Sequence, residues 1–264
     1  MKVSLIIPTR NSARTLAACL ESCRNQTHAD VEVIVVDNSS TDGTVEIAQA
    51  LADKVFDQKP ERSAQRNRGA AESSGDVVCF IDSDMVLEPT VVAEFLAVFA
   101  AQPDVGAVII PERSFGDGFF AACRVLEKSM YVGDADVEAP RAFRREVFEA
   151  VGGWDETLTA AEDWDLADRT KALGVGIGRI DGLIWHDEGI IKLRQTYGKK
   201  QYYGRWVQEY LSRQPEGRGH LARGGVVKQL APNAVKHPVQ VSGLVVLKAV
   251  EAAGLVRGMR KAKS

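Results

Sequence analysis

The sequence contains little cysteine, no low-complexity stretch and no long apolar run at its start. Only four of the 264 residues are cysteine and none forms a close CxxC pair, which excludes a disulfide-rich secreted scaffold. With 45% hydrophobic and 26% charged residues, the composition also excludes a disordered or collagen-like chain. We therefore expect a soluble globular protein whose cysteines are reduced and buried. They are Cys19, Cys23, Cys79 and Cys123.

A secretory signal is also missing from the start of the sequence. The first apolar run, Val3–Ile7, has only five residues and includes a serine. A signal peptide needs an apolar region of about seven residues or more. Pro8, Thr9 and Arg10 end the run. We therefore expect the chain to start and stay in the cytoplasm.

The net charge of −3 conceals an uneven distribution along the chain. Residues 192–264 contain 15 Lys and Arg against three Glu, which gives +12 and leaves −15 for residues 1–191. The two parts are therefore expected to face different partners. An acidic body suits a metal ion or hydroxyl groups, whereas a basic tail suits phosphates, either of lipid head groups or of nucleic acid.

Short β-branched runs alternate with amphipathic stretches in the first half of the chain, which predicts an α/β fold with a parallel sheet and helical crossovers. The predicted strands are Val3–Ile7, Val31–Val36, Val77–Ile81 and Val105–Ile110. The predicted helices are Ala13–Cys23, Thr44–Ala52, Pro89 to Ala101, Phe119–Met130, Arg144–Ala150 and Ala160–Leu173. Asp42 is expected to cap the second helix, and Pro89 to lie in the first turn of the third.

Polar residues follow the first two predicted strands, at the edge where open parallel sheets bind ligands. These clusters are Pro8-Thr9-Arg10-Asn11 and Asp37-Asn38-Ser39-Ser40. Because Asp37 follows a buried strand directly, it could accept hydrogen bonds from a base or a ribose. Ser39, Ser40 and Asp42 are at least as compatible with a capping loop before a helix.

Asp82-Ser83-Asp84 follows the third predicted strand. Alternation along an extended segment would place both carboxylates on one side, where they could bind a divalent cation that also holds a diphosphate. A DxD sequence often occurs by chance, but its position after a central buried strand favours a metal site.

Two further clusters carry acidic residues or a histidine. Glu162, Asp163 and Asp165 surround an indole at the start of a predicted helix. The helix dipole explains acidic residues in a first turn, but three of them beside Trp164 favour a general base. His186 follows an apolar run and could complete a site made by Asp84. The alternative is a packed or surface histidine.

Together these segments resemble family 2 glycosyltransferases over most of residues 1–190. The resemblance rests on VSLIIPTRNSARTLAACLESC, VEVIVVDNSSTDGT, SAQRNRGAAESSGDVVCFIDSD, PRAFRREVFEAVGGWDE and AEDWDLADR. It implies a GT-A fold, a Rossmann-like and mostly parallel sheet flanked by helices. It also implies an inverting reaction with a UDP- or GDP-sugar donor and a divalent cation, Mn²⁺ or Mg²⁺. The implied catalytic domain is 1–192, with a nucleotide-sugar-binding half at 1–110 and an acceptor-binding half at 111–192.

The resemblance also implies roles for individual residues. On the donor side it includes Pro8, Thr9, Asn11, Asp37, Arg66, Asp82 and Ser83. Asp84 matches the direct metal ligand, Asp82 accompanies it on the ribose side, and His186 matches a residue near metal or diphosphate. Asp163 matches the catalytic base, with Glu162 and Asp165 orienting the acceptor or tuning the base. The Asn38-Ser39-Ser40 loop and Gln65 depart from the commoner family pattern, which bears on donor identity.

The expected acceptor is a hydroxyl of a lipid-linked saccharide or of a cell-surface polysaccharide precursor. Two alternatives stay open. A synthase that moves the sugar onto polyprenyl phosphate would need cations, rather than a base, at the acceptor. A nucleotide-sugar-binding protein without catalysis is the other. The sequence leaves the donor sugar, the linkage and the oligomeric state undetermined.

The basic region 193–264 is expected to be helical. Its first helix carries an aromatic stripe that fits packing on the catalytic domain or a membrane interface equally well. The stripe is Tyr203, Trp206, Val207, Tyr210 and Leu211. In Val239–Val256, Lys248 and Glu251 disfavour a membrane-spanning helix.

An anionic membrane surface is instead expected to contact one apolar face of Val239–Val256, so the protein would be peripheral on the inner membrane face. That face consists of Val241, Val245, Ala249, Ala252 and Val256, and the basic residues that follow are Arg257, Arg260, Lys261 and Lys263. Nucleic acid is not expected as a partner, because no recognition motif accompanies the charge.

Overall fold

A computed structural model describes residues 1–58, 61–134, 137–158, 162–213 and 232–261. The chain folds into two compact units. The first unit comprises Met1–Glu112, Ala139–Thr157 and Glu162–His186, and the second comprises Arg113–Glu138, Leu158–Ala161 and Asp187–Ser264.

The elements alternate between strand and helix for most of the chain. The strands are β1 Val3–Thr9, β2 Val31–Asp37, β3 Lys54–Asp57, β4 Val77–Phe80, β5 Met85–Leu87, β6 Val105–Ile109, β7 Glu112–Asp117, β8 Ala142–Arg144, β9 Gly176–Arg179 and β10 Ile184–Ile190. The helices are α1 Leu16–Arg24, α2 Thr44–Leu51, α3 Arg62–Ala71, α4 Val91–Ala101, α5 Phe119–Ser129, α6 Arg145–Ala150, α7 Glu162–Ala172, α8 Leu193–Arg213 and α9 Pro238–Lys261.

A seven-stranded sheet in the order β3-β2-β1-β4-β8-β6-β9 forms the centre of the first unit. Its neighbours are parallel except at β8, which runs antiparallel to both β4 and β6. The predicted α/β fold with a mostly parallel sheet is therefore confirmed. A second sheet has three strands in the order β5-β10-β7. Because β1, β2 and β4 are parallel, their carboxyl ends meet at one edge of the large sheet.

The large sheet is buried on both faces. All seven residues of β1 are buried, and alternate side chains enter different core clusters. Leu5 packs with residues of α1 and α4, whereas Ile6 packs with Phe80, Phe143 and Trp154. This alternation is the period of two expected of a strand, and the continuous apolar runs reflect burial on both faces. The four cysteines are free and buried, as predicted.

Several local predictions differ from the structure. Pro89 lies before α4 rather than in its first turn, because Thr90 is the N-cap. Gly43, not Asp42, is the N-cap of α2, although the Asp42 carboxylate accepts a hydrogen bond from the Thr44 amide at 3.1 Å. The short strands β3, β5 and β8 and the polar helix α3 were not predicted from periodicity.

A glycine allows helix α3 to lie directly against the sheet. A Cβ at Gly69 would collide with the Ile6 side chain of β1. Glycine at this position therefore permits a close approach that any larger residue would prevent. The approach brings the buried side chains of Gln65 and Arg66 to the strand ends.

Helix α9 in the second unit has a buried side and an exposed side. Leu244 and Leu247 are buried, and Gly243 lies against Phe119 and Cys123 of α5. Glu251 is also buried, and it binds Arg124 of α5 and Lys248, the latter at 2.9 Å. Lys248 and Glu251, the two charges that interrupt the apolar sequence of this helix, therefore form an ion pair.

The opposite side of α9 carries the predicted apolar face. Val245, Ala249, Ala252 and Val256 are exposed and Val241 is partly exposed. Pro238–Arg260 is long and apolar enough to cross a membrane by length and composition, and 28% of its most apolar window is buried. Within α8, the side chains of Trp206, Val207, Tyr210 and Leu211 lie outside the described residues, so the predicted stripe stays a prediction.

Candidate active site

The carboxyl ends of β1 and β2 meet at Thr9 and Asp37, which are paired in register. The Thr9 hydroxyl donates to Asp37 Oδ1 at 2.8 Å, and the Ser40 amide donates to Asp37 Oδ2 at 2.7 Å. Both residues are buried, as is Pro8 of the same strand. Asp37 therefore organises the loop after β2 at the carboxyl edge of the sheet.

The loops beside Asp37 are connected by short side chains. Asn11 has a positive φ of 51° and its Oδ1 accepts the Thr41 amide at 2.8 Å. The hydroxyls of Ser12 and Ser83 are 2.8 Å apart, which connects the loop after β1 to the DxD segment. The structure therefore brings Asn11 and Ser83 to the same sheet edge as Asp37.

Gln65 of α3 cross-links the same two strand ends. Its amide nitrogen donates to the carbonyls of Thr9 at 2.9 Å and of Val36 at 2.6 Å. The Gln65 side chain is buried, and the Thr9 carbonyl also accepts the Asn38 amide at 2.9 Å, so the ends of the two strands are held together by several hydrogen bonds. Gln65, which departs from the family pattern, thus has a structural role at this edge of the sheet.

The DxD segment is a turn, so the expected alternation along an extended strand is wrong. Strand β4 ends at Phe80, and the Met85 amide donates to the Asp82 carbonyl at 3.0 Å, which closes a turn before β5. Asp82 lies between Arg66 at 2.7 Å and Arg141 at 3.6 Å. Asp84 has a side chain that is 41% exposed and lies 3.3 Å from His186 Nε2. The two aspartates therefore have different surroundings.

Arg66 is the central cation of the site. Its side chain is 1% exposed, and Nη2 donates to Asp82 Oδ1 at 2.7 Å. Nη1 lies 3.5 Å from Asp163 and 3.9 Å from Glu162. The guanidinium stacks over Trp154 at 4.3 Å from the ring centroid. Arg66 thus connects the DxD segment to the acidic start of α7.

Two of the three acidic residues in the first turn of α7 face this arginine. Asp163 is the accessible one, with a side chain 48% exposed. Glu162 is buried and pairs with Arg62 at 2.7 Å. Asp165 instead accepts a hydrogen bond from Arg169 Nε at 2.8 Å, and Arg169 also donates to the carbonyls of residues 151 and 153. These contacts favour a bracing role for Asp165, and its expected part in orienting the acceptor stays a prediction.

His186 of β10 joins a second group of charges. Its Nδ1 lies 2.8 Å from Glu112, while its Nε2 faces Asp84. Glu112 also pairs with Arg141 at 3.1 Å, and Arg141 in turn faces Asp82. A continuous series of charge contacts therefore runs from Asp84 through His186, Glu112, Arg141, Asp82 and Arg66 to Asp163.

These contacts shift several pKa values. Burial alone would raise the pKa of Asp82, but Arg66 and Arg141 hold it well below its usual range. Burial would lower the pKa of His186, but hydrogen bonds to Asp84 and Glu112 raise it to about 10. Burial and the neighbouring Asp163 raise the pKa of Glu162. His186 is therefore a cation at neutral pH in this arrangement.

Sequence reasoning assigned no role to four members of the site: Arg62, Glu112, Arg141 and Trp154. Arg141 and Trp154 lie in a segment that carries the family resemblance, PRAFRREVFEAVGGWDE, which was the available signal for them. Glu112 and Arg62 have no motif of their own. Their partners are 74 and 100 residues away in the sequence, so only the fold reveals them.

The residues around Asp84 suit a divalent cation whose coordination is completed by the substrate. Within the parts of the chain that the structure describes, no three His, Cys, Asp or Glu side chains form a preformed metal cluster. Mg²⁺ and related cations commonly use one or two carboxylates together with water and substrate phosphates. The partly exposed Asp84 carboxylate and the adjacent imidazole fit that requirement, provided that His186 loses its proton.

Comparison with known proteins identifies the family. The family described as Glycosyl transferase family 2 matches residues 4–151, more than half of the chain. The chain belongs to this family. The resemblance noted from the sequence is therefore confirmed, and the GT-A fold with it.

A solved structure and a curated relative extend the comparison. The mannosyltransferase PcManGT from Pyrobaculum calidifontis, in complex with GDP-Man and Mn²⁺, has a TM-score of 0.67 and 19% identity. The match covers 98% of this chain and 87% of that one, and it shows the shared fold. The O-antigen chain rhamnosyltransferase RfbN of Salmonella typhimurium is 26% identical over 227 residues, which are 78% of this chain and 70% of that protein.

A third similarity covers less of each protein. The cholesterol galactosyltransferase of Borreliella burgdorferi is 42% identical over 95 residues, or 34% of this chain and 26% of that protein. Across four curated relatives, the matched segments span 26 to 60% of the relative's length. The sequence similarity is thus concentrated in a part of each relative.

Proposed function

We propose that the protein is an inverting, metal-dependent glycosyltransferase that moves a sugar from a nucleoside-diphosphate donor to a hydroxyl group. The observation that carries the proposal is the series of charge contacts from Asp84 to Asp163. It connects the residues that the family resemblance assigns to the donor diphosphate with the residue that it assigns to the acceptor. The complex of PcManGT with GDP-Man and Mn²⁺ supports this class of donor and cation.

Asp163 is the proposed general base. It is the most accessible carboxylate at the start of α7, whereas Glu162 is buried and paired with Arg62. Arg66 Nη1 lies 3.5 Å from the Asp163 carboxylate, which would accept the proton of the incoming hydroxyl. Arg169 holds Asp165 and the turn at residues 151–153, which keeps the start of α7 in place.

The donor is proposed to bind along the carboxyl ends of β1, β2 and β4. The loops held by Asp37, Asn11 and Ser83 would receive the nucleoside, with Pro8 and Thr9 beneath them. Asp82 lies at the ribose side, where its two arginines keep it ionised. Asp84 and His186 would hold the cation, which offsets the negative charge on the leaving diphosphate.

Thermal unfolding with a panel of UDP- and GDP-sugars tests the donor and the cation together. A donor at about 100 times its Kd stabilises the native state by about 2.7 kcal/mol. For a protein of this size, we expect the Tm to rise by roughly 5 to 10 °C in the presence of Mn²⁺. We expect the rise to shrink in EDTA and in Asp84→Asn. The matched control is Asp104→Asn, an exposed aspartate in the turn before β6.

An unchanged Tm with every donor would contradict nucleotide-sugar binding. A donor-induced rise that is equally large in EDTA and in Asp84→Asn would contradict the assignment of the cation to Asp84. Metal-dependent hydrolysis of the stabilising donor then distinguishes an enzyme from a protein that only binds nucleotide sugars.

We further propose that the second unit attaches to an anionic membrane surface and that the acceptor is lipid-linked. The exposed apolar face of α9 is followed by Arg257 and Arg260, which are both exposed. Apolar area together with basic residues is the requirement for a helix that lies in the membrane interface. Lys248 contacts Glu251 and Glu127, and Glu251 also contacts Arg124, so both charges within this helix are paired.

Sedimentation with vesicles measures this attachment. We expect the protein to bind phosphatidylglycerol vesicles at low salt and to bind phosphatidylcholine vesicles weakly. Each basic residue near anionic lipid contributes about 1 kcal/mol. The double substitution Arg257→Gln and Arg260→Gln should therefore lower the partition coefficient by roughly 30-fold. The control replaces Lys171 and Arg179, exposed basic residues of the first unit, by glutamine. Equal losses in the two double variants would contradict the surface assigned to α9.

A further inference from the structure

Glu112 is the first residue of β7, and its side chain is 19% exposed. Its two carboxylate oxygens have different partners. Oε1 lies 2.8 Å from His186 Nδ1, and Oε2 accepts a hydrogen bond from Arg141 Nη2 at 3.1 Å. Arg141 therefore fixes the orientation of the carboxylate that faces the imidazole.

Strand pairing places His186 beside the DxD segment. His186 of β10 pairs with Met85 of β5 in antiparallel register, and Met85 directly follows Asp84. The backbone thus brings the imidazole close to the Asp84 carboxylate, and Nε2 lies 3.3 Å from Asp84 Oδ2. The strand register fixes the backbone of His186, but it does not by itself fix the orientation of the imidazole ring.

Glu112 provides that orientation. An ionised carboxylate can only accept hydrogen bonds, so Nδ1 carries the hydrogen in its contact with Glu112. A ring turned by half a rotation would place carbon atoms opposite both Glu112 and Asp84, and both contacts would be lost. With a hydrogen held on Nδ1, Nε2 is the nitrogen that can present a lone pair to a cation on the Asp84 side.

The arrangement is the one that metal-binding histidines need. Such a histidine generally donates its second ring N–H to a carboxylate, a carbonyl or water, and this partner sets the tautomer and the ring orientation. Glu112 supplies the carboxylate, and Arg141 connects it to the DxD segment, since Arg141 Nη1 faces Asp82 at 3.6 Å. A salt bridge between Glu112 and Arg141 alone would not require the short contact with His186 Nδ1.

We propose that Glu112 is a positioning residue of the cation site: it holds the hydrogen of His186 on Nδ1 and directs Nε2 toward a divalent cation at Asp84. The proposal deepens the proposed function and rests on its assignment of the cation to Asp84 and His186. Glu112 acts through the imidazole and not as a ligand of the cation.

Electron paramagnetic resonance of Mn²⁺ tests this role without requiring sugar transfer. The full chain is titrated with Mn²⁺ alone and with Mn²⁺ in the presence of UDP or GDP, and the signal of unbound Mn²⁺ gives the Kd. Pulsed measurements on the bound ion detect a coordinated imidazole as nitrogen modulation, and His186→Ala defines the spectrum without it. We expect Glu112→Leu to weaken Mn²⁺ binding by about 10- to 100-fold and to lose the nitrogen modulation.

Glu88→Leu is the matched control. The Glu88 carboxylate accepts hydrogen bonds from the Trp185 indole at 3.1 Å and from the Leu183 amide at 2.9 Å, so it braces the start of β10 through residues other than His186. We expect this variant to have a lower Tm but an unchanged affinity for Mn²⁺. Glu112→Gln retains an oxygen that can accept from Nδ1–H, so the nitrogen modulation should return.

Two results of the titration would overturn the proposal. One is a wild-type affinity and nitrogen modulation in Glu112→Leu. The other is an equal loss of both in Glu88→Leu, because general loosening of β10 would then explain the effect. Absence of nitrogen modulation in the wild-type protein under all three conditions would also overturn it.

Nuclear magnetic resonance of the wild-type protein decides the matter if Glu112→Leu does not fold. The chain has four histidines, and the isotope-labelled imidazole signal that is missing from His186→Ala belongs to His186. With the diamagnetic cation Cd²⁺ bound, we expect Nδ1 to carry the hydrogen and Nε2 to couple to the cadmium nucleus. A hydrogen on Nε2, or coupling of cadmium to Nδ1, would overturn the proposal.

The outcome is separable from that of the proposed function. Release of UDP or GDP from donor sugars is measured on the same preparations. Nitrogen modulation that depends on Glu112, without any donor cleavage, refutes the glycosyltransferase and leaves the positioning role standing. Donor cleavage together with nitrogen modulation that is independent of Glu112 refutes the positioning role alone.

Discussion

Asp163→Asn is expected to lower kcat by about 10²- to 10⁴-fold, because that is the usual contribution of a general base. Asparagine has nearly the shape of aspartate but cannot accept the proton of the acceptor hydroxyl. The donor is proposed to bind at other residues, so its Kd should change little. A labelled-donor transfer assay gives kcat, and the thermal shift with the donor reports its binding.

Asp168→Asn is the control for this experiment. Asp168 lies on the same helix α7 and is partly exposed, 3.9 Å from Lys171. It should retain wild-type turnover. Full transfer activity in Asp163→Asn would refute Asp163 as the base. If that activity required an acceptor with a phosphate group, the polyprenyl-phosphate sugar synthase would be favoured instead.

Arg66→Met is expected to have the largest effect on stability. Arg66 is almost fully buried and faces Asp82, Asp163 and Glu162. Removing one partner of a buried ion pair typically costs about 3 to 5 kcal/mol, because the other charge is left uncompensated. The Tm should therefore fall by roughly 6 to 20 °C. Urea unfolding gives the corresponding change in the free energy of unfolding.

The effect of Arg66→Met should depend on pH in a defined direction. In the native protein, Arg66 holds the pKa of Asp82 below the value of the unfolded chain, which is about 3.9. The stabilisation that the Arg66–Asp82 pair contributes is therefore complete above pH 4 and is lost as the pH falls through the native pKa of Asp82. In Arg66→Met the native pKa of Asp82 rises, so the difference between variant and wild type should be large at pH 7 and smaller at pH 3.5. An equal difference at both pH values would contradict this account.

Two further variants isolate the Arg66–Asp82 interaction. The double variant Arg66→Met/Asp82→Asn should be more stable at pH 7 than Arg66→Met alone, because it removes a carboxylate that has lost Arg66 and keeps only Arg141 at 3.6 Å. Arg68→Met is the control. Arg68 is exposed on the same helix and pairs with Glu72 at 2.9 Å, and such surface pairs contribute about 1 kcal/mol or less.

The strands of the first unit could be predicted from short runs of apolar and β-branched residues, and its amphipathic helices from the helical period of their apolar residues. Val3–Ile7 and Val77–Ile81 are examples, and both correspond to central strands. Helix α3 could not be predicted in this way. Its buried residues include Gln65 and Arg66, and polar residues inside a helix obscure the pattern that indicates a buried face.

The sequence analysis predicted which residues would lie together more successfully than it predicted how they would be arranged. The sequence placed Asp82, Asp84, Asp163 and His186 among the functional residues, and the structure joins them in one series of contacts. The arrangement at Asp82 was misjudged because the chain turns immediately after β4. The cations that define the surroundings, Arg141 among them, come from distant segments, and no local pattern reveals such pairings.

The dual character of α9 limits how the protein can be shortened. Removal of the chain from residue 238 onward would eliminate the exposed valines of α9, among them Val245 and Val256. It would also remove Gly243, which lies against Cys123, and leave Arg124 without its partner Glu251 in the shortened protein. A more soluble version is therefore better obtained by exchanging the outward valines for polar residues while Leu244, Leu247 and Glu251 are retained.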